Sequence, residues 1–133
     1  MNYSRVVLFS LLMFLTAVMI SALGFLIFDI ERAVSGPSHL LLMEVVNFVV
    51  LLTFYIYLAY RQKVNPYLHA ICVTACYWFW SFLSSFVFSF FAELPFEPWA
   101  FLFPILFNII ALLLGTLSGI QLSLKLKSGA QTI

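Results

Sequence analysis

Four long apolar stretches divide the chain, and nearly every charged residue falls in the short gaps between them. The stretches cover approximately 5–28, 39–60, 67–92 and 99–124. Each is long enough to cross a hydrocarbon core ~30 Å thick at ~1.5 Å per helical residue. Lipid offers a backbone no hydrogen bonds, so such stretches must satisfy their amides internally and become helices. The expected fold is all-α: an integral membrane four-helix bundle, threaded up-down-up-down, with residues 1–133 forming a single domain.

Composition removes the main competitor. Hydrophobic residues make up 65% of the chain and charged residues only 8%, against ~25% charged in a typical soluble domain. A chain of this kind lacks the polar surface needed to fold in water. A net charge of +1, with no basic run longer than Arg61-Gln62-Lys63, gives no footprint for nucleic acid. The first stretch reads as a retained helix: its apolar run continues from Val6 to Phe28, whereas the apolar core of a cleaved signal is ~7–15 residues.

Charge predicts the threading. Arg5 precedes the first span, Arg61 and Lys63 lie between the second and third, and Lys125 and Lys127 follow the fourth. Asp29, Glu31, Arg32, Glu93 and Glu97 fall in the alternate gaps. Five of the six Lys and Arg residues therefore share a side, which the positive-inside rule assigns to the cytoplasm. Both termini are expected there, and the short loops and small size suggest a bacterial inner membrane. Gaps of about ten residues or fewer make consecutive helices expected antiparallel neighbours. Ser38, after Gly36-Pro37, is the expected N-cap of the second helix, Asn65-Pro66 breaks the chain before the third, and Glu93 to Pro98 reads as a stiff external turn. Tyr57, Tyr60 and Tyr67 are expected at the cytoplasmic boundary and Trp99 at the external one.

Against this apolar background the polar residues inside spans stand out. Glu44 lies six positions into the second span, ~8 Å below the external boundary by helical rise. A charge there costs at least a few kcal/mol to bury, so an ionisable residue at that depth is a functional candidate and a possible proton acceptor. Asn47 shares its face, and Asn108 is the corresponding amide of the fourth span. These three form the candidate polar intramembrane site.

Small residues form a second group. Pro104, Asn108, Ala111, Gly115 and Gly119 lie along one stripe of the fourth span, and Gly115 to Gly119 has the GxxxG spacing that lets two backbones approach. Ser10, Ala17, Ser21 and Gly24 form a counterpart on the first. Ala17, Ser21, Gly24, Ala111, Gly115 and Gly119 are thus candidate helix-packing positions, within the chain or between copies, and Pro104 is a candidate kink. On the third span Thr74, Tyr77, Ser81, Ser84 and Ser85 share a side. Packing is the expected use of these hydroxyls, a wet cavity the alternative. Trp78 and Trp80 fall near the midplane and face different directions, and most of the phenylalanines are expected to face lipid.

Metal and redox readings are set aside. His39 and His69 begin opposite ends of their spans, close to a membrane thickness apart, so one iron or zinc ion cannot take both. Cys72 and Cys76 have CxxxC spacing inside an apolar helix, not the CxxC spacing at a helix start that redox sites use. No cofactor or metal is expected, and no nucleophile–base set supports catalysis. The leading expectation is a small non-catalytic membrane protein of accessory, assembly or immunity type, acting through helix contacts. The alternative is a small oligomeric transporter or channel, ion- or proton-coupled through Glu44, or a holin-like pore former. The expected partners are the lipid bilayer and either further copies or a larger membrane protein, with no nucleic acid.

Overall fold

The computed structural model describes residues 3–28, 37–62, 64–92 and 102–130. These form four helices: α1 (Tyr3–Phe28), α2 (Pro37–Arg61), α3 (Pro66–Ala92) and α4 (Leu102–Ala130). All four are long and apolar enough to cross a membrane, and we describe the chain as an all-helical multi-pass membrane protein. The 29–36 and 93–101 segments, with their acidic residues and Trp99, and Lys63 lie outside the described residues.

Helix boundaries follow local chemistry. α3 starts at Pro66, whose missing N–H costs nothing at a first helical position. Asn65 before it takes φ 48°, a left-handed conformation that asparagine tolerates better than most residues, and its carbonyl accepts the His69 N–H at 3.1 Å. α2 begins one residue before the expected cap: Pro37 is already helical, so Ser38 belongs to the first turn. α4 runs on through Lys125 to Ala130, past the expected end at 124, because a helix leaving lipid needs no apolar side chains to continue.

Packing departs from simple sequence order. Consecutive helices touch, but the most extensive contact is between α2 and α4 and the next between α1 and α3; α1 and α4 do not touch among the described residues. Small residues explain the first pair. Ala111, Gly115 and Gly119 all lie on the buried face of α4. A Cβ added to Gly115 would stand 2.7 Å from the Tyr55 Cβ and 2.9 Å from the Leu52 carbonyl oxygen. One added to Gly119 would strike the Ile56 carbonyl and stand 2.8 Å from the Ala59 Cβ. The GxxxG spacing is therefore used inside the chain, on α2.

Along this seam residue numbers rise together. Phe48 meets Phe107, with ring centroids 6.0 Å apart; Gly115 abuts residues 52–56 and Gly119 residues 56–60. Between α1 and α2 they run in opposition, since Phe9 meets Tyr57 and Gly24 meets Met43. Lipid does not drive apolar helices together as water does, so close backbone approach and interhelical hydrogen bonds carry the association. The outward surface is correspondingly apolar, with Leu26, Phe86, Phe88, Phe90 and Phe91 all exposed.

Candidate functional site

Two polar layers lie inside this apolar frame. One centres on Tyr55 of α2, which is 0% exposed. Its hydroxyl donates to Asn108 Oδ1 of α4 at 2.6 Å and lies 2.6 Å from Thr74 Oγ1 of α3. Because the Tyr55 proton is committed to Asn108, the Thr74 hydroxyl is the donor to Tyr55, sharing its proton with the Ala70 carbonyl at 2.8 Å. One side chain thus ties three helices together. Asn108 Nδ2 remains without a partner, a cost that a buried donor imposes on any fold.

The other layer borders an open cavity of about 450 Å³ with walls from all four helices. α2 contributes Glu44 and Asn47; α3 contributes Tyr77, Trp78, Ser81, Ser84 and Ser85. Phe14, Ala17, Ser21 and Ala22 line it from α1 and Pro104 from α4. The gap has a sequence cause. Short side chains of α1 oppose serines of α3 at this level, and neither reaches far enough to close the space. Pro104 falls in the first turn of α4 as described and forms part of the cavity wall.

Hydrogen bonding at the cavity is lopsided. Ser81 Oγ donates to the Tyr77 carbonyl at 3.1 Å and Ser84 Oγ to the Ser81 carbonyl at 2.9 Å, so both protons are spent on the helix itself. Asn47 Oδ1 is buried without a partner. The Tyr77 hydroxyl faces the side chains of Asn47 and Ser81. No Lys, Arg or His is among the lining residues.

The candidate residues therefore separate by place. Glu44 and Asn47 come together at the cavity, while Asn108 belongs to the Tyr55 layer. Ala17 and Ser21 line the cavity, whereas Gly24 is buried against Met43. Of the α3 hydroxyl stripe, expected mainly to pack, four members face the cavity and Thr74 faces Tyr55. Trp78 lines the cavity, and Trp80 instead pairs with Phe79 at 5.5 Å. His69 is buried in α3 with Nδ1 unpartnered, where interfacial hydrogen bonding was expected. The side chain of His39 lies outside the described residues. Cys72 and Cys76 are free thiols, half-buried against the core, and no group of three metal-ligating side chains occurs among the described residues.

Sequence reasoning placed three tyrosines at the membrane boundary and passed over Tyr55. A signal was there: Tyr55 shares a helical face with Leu51, Leu58 and Ala59, turned away from the exposed Tyr57 and Tyr60, so its hydroxyl had to find a partner within protein. Searches against protein families, characterised proteins and solved structures return no match to this chain.

Proposed function

We propose that the chain is a small membrane carrier whose solute site is the Glu44 cavity. One observation carries this reading: all four helices border an open, mainly apolar space into which the Glu44 carboxylate, Asn47 and a set of serines are gathered. Apolar packing gives no reason to gather an ionisable group, an unpartnered amide oxygen and four serines around one space between spans. A volume of about 450 Å³ falls in the range of small-molecule sites, ~300–1,000 Å³. The accessory-protein reading draws less support, because the GxxxG surface that would recruit a partner is occupied by α2. What remains for a partner is the exposed phenylalanine surface of α3, which lipid covers equally well.

In this reading the helices form an up-down-up-down bundle. The opposed contacts of α1 with α2 and the concerted ones of α2 with α4 support it. Both termini are cytoplasmic, as the basic gaps suggest, and the setting is a bacterial inner membrane. Arg61 anchors the inner boundary, its Nε–H donating to Tyr57 Oη at 3.3 Å. The cavity lies in the outer half, and association of copies would complete a path across the inner half.

Cysteine accessibility tests this without knowing the solute. In a background lacking Cys72 and Cys76, Ser84→Cys should react with a membrane-impermeant thiol reagent in both right-side-out and inverted vesicles, whereas Leu83→Cys should react in neither. Reaction from one face alone would reduce the carrier to a binding protein, and silence from both faces would end the proposal. Gln62→Cys and Lys125→Cys should label from one common face, and opposite faces would overturn the threading.

A further inference from the structure

We infer that the solute is an organic cation, an amine with an apolar body, and this rests on the carrier reading above. The argument is one of complementarity. The cavity presents the Glu44 carboxylate, the unpartnered Asn47 Oδ1, and the Ser81 and Ser84 oxygens whose protons are already given to main-chain carbonyls. All four are acceptors. With no cationic side chain among the lining residues, the charge that balances Glu44 must arrive with the ligand. An ammonium group brings that charge and offers as many as three N–H bonds to these acceptors, whereas an anion would meet the Glu44 carboxylate with no cationic side chain among the lining residues to offset it.

The rest of the wall selects against a bare inorganic ion. Tyr77 and Trp78 meet edge to face, with centroids 5.4 Å apart, and Phe14 stands across the space on α1. Rings beside a carboxylate favour a cation through their faces and an apolar body through contact area. A metal ion of the hard type requires six or more oxygen ligands in a tight shell, which one carboxylate in a space of about 450 Å³ does not build. The sequence supplies the logic: Tyr77, Trp78, Ser81 and Ser84 recur at helical spacing on α3, so rings and oxygens share one wall.

The test is equilibrium binding of radiolabelled 2-phenylethylamine to the full chain in lipid nanodiscs, compared with 2-phenylethanol, its neutral counterpart. The amine should bind saturably and roughly tenfold or more tighter than the alcohol. Glu44→Gln should remove that preference, Glu44→Asp should retain part of it, and Trp78→Leu should weaken both ligands severalfold. Equal binding of amine and alcohol, or an amine affinity unchanged in Glu44→Gln, would overturn the cation assignment. So would complete displacement by millimolar sodium with no effect of Trp78→Leu, which would mark an inorganic ion site. If neither probe binds while Ser84→Cys still reacts with the aqueous reagent, the ligand class is wrong and the carrier cavity stands. If Ser84→Cys is also silent, both fall.

Discussion

Along the α2–α4 seam, Gly115 and Gly119 bring two backbones so close that an added Cβ has nowhere to go. One helix away, Ala17 and Ser21 of α1 face serines of α3 across a gap of about 450 Å³. Both regions are built from small residues, yet one is closed and the other open. The difference lies in what stands opposite. On α2 the glycines meet backbone and the Cβ atoms of Tyr55 and Ala59, which fill the space left for them. At the cavity the small residues of α1 face serines of α3, and the rings that line the space, Phe14, Tyr77 and Trp78, leave it open. A small-residue stripe is thus a permission for close approach, and its partner decides whether the approach occurs.

The comparison makes quantitative demands. Gly119→Val should be the most damaging change, costing about 3 kcal/mol through forced separation of two backbones, read by reversible unfolding in mixed detergent micelles. A loss below about 1 kcal/mol would mean that the seam gives way easily and is not where the fold is held. Tyr55→Phe should cost about 1 kcal/mol, since Asn108 and Thr74 lose their interhelical partner while the ring is kept. Combined with Asn108→Leu, the loss should fall short of the sum of the two single changes; strict additivity would show that the bond is not formed. At the cavity, Ser84→Ala and Glu44→Gln should each move stability by no more than about 0.5 kcal/mol, with Glu44→Gln neutral or stabilising because a buried charge is removed. A large loss at either position would make the cavity a structural element and weaken the case for a solute site. Gly24→Ala should be the mildest glycine change: its new Cβ meets only the far end of the Met43 side chain, which can swing away.

The spans were legible because lipid imposes a one-dimensional rule: a run of apolar residues of the right length must be a helix. The four stretches accordingly coincide with α1 to α4 except at their ends, as at Ser38, where the helix starts one residue earlier than the expected cap, and at the C-terminal extension of α4. Glu44 and Asn47 were legible as a pair because one helical turn brings them to one face. Their association with Tyr77, Ser81 and Ser84 was not, because it depends on which helices meet and at what height. Asn108 was grouped with them by residue type, although the fold uses it to hold Tyr55.

Hydropathy along the chain therefore determined that there are four spans, where they fall and which polar groups they carry inward, since each of these depends on neighbours in sequence and on a uniform solvent. Only the tertiary arrangement decided that α2 takes α4 as its main partner, that the glycine stripe is consumed within the chain, and that Tyr55 outranks the boundary tyrosines. The same arrangement left a polar space beside Glu44. Helix pairing is a contest between surfaces distant in sequence, settled by the fit of individual side chains, and an apolar pattern that repeats four times carries no record of which fit wins.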